Sequence, residues 1–171
     1  MKGSKFILIQ VVLLLSLSGH SQNIGAGASV LYNFQTESLG AGVRASFYPD
    51  NRLSFTPQFS YYFAFNKVNE FNIGLGLEYK FLRTNNLNFY GILHGAYDRW
   101  LNYASSVMKD AKPNNWNLEG GIGVSTNRCL RPFLEYRYNI KFLETHLQLG
   151  ILYIFGCKGY FVDKNSQCPA Y

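Results

Sequence analysis

The chain has 171 residues, of which 47% are apolar and 17% aromatic but only 15% charged, with 14 Phe, 13 Tyr and 16 Gly. Average soluble domains carry roughly 25% charged residues, and disorder or a charged coiled coil would need more charge than is present here. The net charge is +6, but two of the 16 basic residues, Lys2 and Lys5, fall in what reads as a leader, and the 14 left against 10 acids give +4, too mild to point to nucleic acid.

Lys2 and Lys5 precede the apolar run Phe6 to Leu17, and Ser18 to Gln22 supply a small, polar exit. This is the pattern of a secretory signal peptide over residues 1–22. The run is too short for a spanning helix, which needs roughly 20 apolar residues. No cysteine lies near the exit, which disfavours a lipid anchor, and no later apolar run is long enough for a helical membrane protein. The mature chain is therefore expected to be periplasmic, secreted or in the outer membrane.

Eight segments then alternate with a period of two. Ile24 to Asn33 and Leu39 to Tyr48 do so weakly, with Ala and Gly in place of many large residues. The third sets Leu53, Phe55, Phe59 and Tyr61 against Ser54, Thr56, Gln58 and Ser60. In the fourth, Phe71, Ile73, Leu75, Leu77, Tyr79 and Phe81 oppose Glu70, Asn72, Gly74, Gly76, Glu78 and Lys80. The fifth opposes Leu87, Phe89, Leu93 and Tyr97 to Asn88, His94 and Asp98, and the sixth opposes Trp116, Leu118 and Ile122 to Asn117, Glu119 and Gly121. The seventh opposes Leu130, Leu134 and Tyr136 to Arg131, Glu135 and Arg137. The eighth opposes Leu143, Leu147, Leu149 and Ile151 to Glu144, His146, Gln148 and Gly150.

Strand side chains point alternately to opposite faces, so each segment has one apolar and one polar face. Most segments exceed the five or six residues of a typical soluble strand and suit tilted membrane strands. Alternation also explains a mean hydropathy of only -0.09, because the two faces cancel. The longest connection, Arg99 to Asn115, is the fifth, which falls outside if both chain ends lie in the periplasm. Aromatics cluster at segment ends, as in Tyr97 with Trp100 and Tyr153 with Phe155, where rings with a polar edge favour the lipid and water boundary.

The leader ending near Ser21 and Gln22, the eight alternating segments and the final strand finishing at Phe155 resemble small outer-membrane β-barrels of the OmpA and OmpX type, especially those of Bacteroidota. The resemblance implies an all-β fold, an eight-stranded antiparallel transmembrane β-barrel over residues 23–155 with a short C-terminal tail over 156–171. That family commonly ends at the last aromatic, so the residues following Phe155 are a departure.

The expected interior polar network comprises Arg44, Glu78, Lys80, Glu119, Arg131, Glu135, Arg137, Glu144 and His146, carrying both signs on neighbouring strands. An eight-stranded barrel is just wide enough to be filled by side chains, so these charges are expected to pair. Glu144 with His146, and His94 with Asp98, could in principle let a carboxylate orient an imidazole. Neither pair has a companion Ser nucleophile, no metal-ligand spacing is recognisable, and no cofactor motif is present, so no catalytic, cofactor or metal residue is expected. Gly74 and Gly76 alternate within a strand and read as aids to barrel curvature. Ala26, Ala28, Ala41 and Ala45, with Gly91, Gly95 and Gly120, make thin outward patches.

Export permits a disulfide among Cys129, Cys157 and Cys168. Cys157 and Cys168 bracket a polar turn and are the preferred pair for a periplasmic staple; Cys129 with either is the competing choice. The expected role is a structural or accessory interaction subunit of a larger outer-membrane complex, in contact with outer-membrane lipid and lipopolysaccharide and not with nucleic acid. A lipid-modifying barrel enzyme and a narrow solute or ion pore are the alternatives.

Overall fold

The computed structural model describes residues 24–63, 69–101 and 112–155. The expected leader and tail lie outside these residues. Eight strands follow in order: β1 (Ile24–Asn33), β2 (Ser38–Phe47), β3 (Leu53–Phe63), β4 (Asn69–Arg83), β5 (Leu87–Leu101), β6 (Asn114–Thr126), β7 (Leu130–Asn139) and β8 (Glu144–Ile154). Each pairs antiparallel with the next, and β8 pairs with β1, so the sheet closes into a barrel. Closure removes the edge strands whose backbone groups could find no partner in hydrocarbon. The even strand number puts the start of β1 and the end of β8 at the same end, together with the connections after β2, β4 and β6.

The alternation builds the barrel inside out relative to a soluble protein. On β4, Ile73, Leu75 and Tyr79 are 50–55% exposed, whereas Glu78 and Lys80 on the other phase are 4% and 3% exposed. A water-facing belt of this kind would cost about 25 cal/mol for each Å² of apolar surface, a cost that hydrocarbon removes.

Local departures have local causes. Pro57 lacks an N–H, and it sits where β2–β3 pairing is interrupted between Arg44↔Gln58 and Phe47↔Phe55, the register being the same on both sides. Pro132 likewise lies just beyond the last β6–β7 pair, Ser125↔Phe133. A bulge between Lys80 and Leu82 shifts the register of β4 against β5.

Two turns at the end opposite the termini share one design. Asn33 Oδ1 accepts from the backbone N–H of Gln35 and Thr36 at 2.9 and 3.2 Å, and Asn139 Oδ1 accepts from Lys141 and Phe142 at 3.0 and 3.2 Å. Four residues after each Asn, Glu37 and Leu143 take positive φ of 50° and 56°, and the next strand begins. Leu143, expected as the first outward residue of the eighth strand, is thus a turn residue, because the Asn139 cap fixes a four-residue connection.

Three other inward glycines have a definite packing role. Gly40, Gly123 and Gly150 face Tyr62, Tyr90 and Phe133 directly across strand pairs. A Cβ at any of the three would come under 3.0 Å from the facing ring. The glycines make room for rings in a narrow lumen. Gly95 and Gly120 point outward, and a Cβ there would meet nothing within 4 Å.

Candidate functional site

Among the described residues, buried polar side chains converge in the lumen, which divides into layers along the barrel axis. At the end holding the termini, Tyr48, Phe133, Leu152 and Ile154 form a buried apolar cluster. Lys80 Nζ stands 4.7 Å and the Arg131 guanidinium 5.4 Å from the Tyr48 ring centroid, and Arg131 donates to Tyr48 Oη at 3.1 Å. Lys80 also donates to the carbonyl of Asn51 at 3.4 Å.

Above this lies an ion-paired layer that crosses the lumen. Arg44 on β2 reaches Glu78 on β4 at 2.5 Å and Glu135 on β7 at 2.6 Å. Arg137 pairs with Glu135 and lies 3.6 Å from Glu119 on β6. Ser54 donates to the second Glu78 oxygen at 2.8 Å, and Tyr90 donates to Glu135 at 2.7 Å. Arg137 also donates to Gln58 Oε1 at 3.1 Å. The carboxylates thus have the donors a buried charge requires, and Arg44 packs 4.0 Å from the Phe133 ring centroid.

Further out, charge gives way to amides and imidazoles. Asp98 accepts from Asn72 at 2.5 Å and from Asn117. Tyr62 Oη meets His146 Nδ1 at 2.9 Å, and Gln148 donates to Ser29 at 2.8 Å. Glu144, partly exposed at the mouth, accepts from Asn33 at 2.9 Å. A cavity of about 10 Å³, on the scale of one water-sized sphere, remains between Gln58, Tyr62, Asn72, His94, Glu119 and His146.

The nine residues expected in the polar network all lie on the inward phase, but they form no single cluster. Arg44, Glu78, Glu119, Glu135 and Arg137 form the crossing layer; Lys80 and Arg131 belong to the Tyr48 layer; Glu144 and His146 sit near the opposite mouth. His94 hydrogen-bonds Glu119, its direct cross-strand partner, at 3.2 Å and not Asp98, two turns of the pleat away on its own strand. His146 lies 3.6 Å from Glu144 while its other nitrogen faces Tyr62. Among the described residues no group of three potential ligands could hold a metal ion. The residues that sequence reasoning passed over are Tyr90, Gln58, Asn72 and Asn117; all share the inward phase, but only the register shows what they bond.

The cysteine expectation is corrected. Cys129 is disulfide-bonded, and since Cys157 and Cys168 are the other cysteines, its engagement is incompatible with a Cys157–Cys168 staple. The cause is strand pairing: the backbone N–H of Ile154 donates to the Cys129 carbonyl at 2.9 Å, which holds Cys129 beside the end of β8. Its partner lies outside the described residues.

A closed antiparallel barrel with an apolar outer belt and a packed polar interior is a transmembrane β-barrel. Its fold is similar to the N-terminal β-barrel domain of Pseudomonas aeruginosa OprF, with a TM-score of 0.59 and 15% identity over 78% of this chain and 97% of that one. Neisserial surface protein A is similar at a TM-score of 0.52 and 15% identity, covering 78% of this chain and 95% of that one. A de novo designed transmembrane β-barrel is similar to the same degree, at 0.52 and 15%. No protein-family profile and no curated protein sequence matches the chain.

Proposed function

We propose that this chain is a multi-pass outer-membrane barrel with a closed lumen, acting as a structural or accessory interaction subunit of an outer-membrane complex. The observation that carries this reading is the crossing layer Arg44–Glu78–Glu135–Arg137, which fills the lumen between β2, β4 and β7 and lies above an apolar cluster. A solute pore needs a continuous polar path, and here charges are spent on one another. A lipid-modifying enzyme needs an activated nucleophile at the lipid level, and the described histidines bond to Glu119 and Tyr62. What remains available for interaction is the outside of the barrel and its rims.

The test is extraction from native outer membrane in mild detergent followed by affinity capture of the full chain. The reading expects a stoichiometric larger outer-membrane protein in the eluate. Capture of the barrel alone, together with turnover of phospholipid or lipopolysaccharide by the purified protein, would replace it with the enzyme reading.

A further inference from the structure

Among the described residues at the end opposite the termini, three exposed cations stand on one side of the barrel: Arg99 near the end of β5, Lys112 just before β6, and Lys141 in the β7–β8 turn. Rim contacts hold them together. Lys141 Nζ donates to Asn115 Oδ1 at 3.0 Å and to the Trp116 carbonyl at 3.1 Å, and Asn115 in turn donates to the Lys112 carbonyl at 2.7 Å. Arg99 is in register with Asn114, and the neighbouring Trp100 ring lies 6.0 Å from Phe142. None of the three cations has an ion-pair partner among the described residues. Nearby carboxylates take the inward phase: Glu70, half-buried and in register with Trp100; Asp98, which accepts from Asn72 and Asn117; and Glu144, which accepts from Asn33. Among the described residues the exposed acid of this rim is Glu37, in the β1–β2 turn, whose Gln35 bonds Thr145 at the start of β8, on the side of the β7–β8 turn away from Asn115 and β6.

The depth of the cluster fits a headgroup. Arg99 shares the outward phase of β5 with Phe89, and at about 3.3 Å per residue and a tilt near 40° it stands roughly 25 Å above it, the height of an outer-membrane apolar belt. Directly below it, Tyr97 and Trp116 meet edge to face at 5.3 Å, with Trp116 73% exposed as interface rings are.

We propose that this side of the rim binds the phosphates of an outer-leaflet lipid, the phosphorylated glycolipid end of lipopolysaccharide. The proposal rests on the outer-membrane reading above. An Arg fork and two Lys ammonium groups match phosphate oxygens, and at this depth on an outward face the neighbouring anions are lipid headgroups. The acyl chains would run past Tyr97 and Trp116 and over the outward Gly95 and Gly120.

The test is native mass spectrometry of the full-length folded chain in mild detergent, offered bis-phosphorylated lipid A, dephosphorylated lipid A or phosphatidylglycerol. Three proteins are compared: the parent, Arg99→Gln/Lys112→Gln/Lys141→Gln, and the opposite-rim control Arg52→Gln/Arg83→Gln/Arg128→Gln. A heat-shift gel checks that each is folded, so that loss of the barrel is separated from loss of the site. Retention of phosphorylated lipid A should fall about fivefold per cation removed in the first variant and stay unchanged in the control. Dephosphorylated lipid A should bind weakly to all three. Unchanged retention in the first variant, an equal loss in the control, or phosphatidylglycerol held by the parent as tightly as lipid A would overturn the proposal.

Discussion

The two halves of the lumen are lined by the same strands on the same phase, yet they are stabilised differently. In the middle of the lumen Arg44 and Arg137 pair with Glu78, Glu119 and Glu135, and rings close the end that holds the termini. Toward the other mouth, Asp98 is held by the amides of Asn72 and Asn117, and His146 by Tyr62. The difference teaches that inward polarity is a requirement of the narrow barrel, whereas closure is the work of one charged layer.

Removing the acid that both arginines share should therefore do the most damage. Glu135→Ala leaves Arg44, Arg137 and Tyr90 without their common partner, and stripping one member from a buried network costs about 3–5 kcal/mol. Urea unfolding in detergent micelles should show this loss, while Asp98→Asn, in the other half, should cost only about 1–2 kcal/mol because one amide can still be accepted. Equal losses would erase the distinction between the halves.

Leu75→Arg probes the wall rather than the lumen. It sets a charge against hydrocarbon at a cost of roughly 2–4 kcal/mol near the midplane, and assembly yield in vivo should drop. A variant that assembles like the parent would show that the outward phase of β4 has been misread.

Glycine substitutions separate inside from outside on a smaller scale. Gly123→Ala drives a methyl into the Tyr90 ring and should cost about 1–3 kcal/mol, whereas Gly95→Ala meets open space and should be nearly neutral. Urea midpoints that shift alike would mean the ring and glycine pairs are not packed as described. The smallest effect concerns the thiols: peptide mapping of unreduced protein should recover Cys129 in a crosslink. A Cys157–Cys168 crosslink with Cys129 free would reverse that assignment.

Much of the fold is legible in the sequence because membrane strands declare both faces. Leu75 next to Gly76, or Leu134 next to Glu135, gives the phase without any knowledge of neighbours. Partners are not legible in this way, since they depend on register: His94 shares a face with Asp98 along its own strand, yet pairing across the sheet places it opposite Glu119. The apolar cluster of Tyr48, Phe133, Leu152 and Ile154 is not legible for a related reason: alternation marks inward positions but does not say that the lumen turns apolar at one end. Leu143 reads as a strand residue because a capping Asn looks like one more inward polar residue until its turn is seen.

The closed lumen is the central claim, and single-channel recording in planar bilayers tests it most directly. The parent protein should give no stable conductance steps, and Glu135→Ala, once reconstituted as a folded barrel, should give at most brief openings. Sustained, uniform steps from the parent protein would contradict the account and make this barrel a pore.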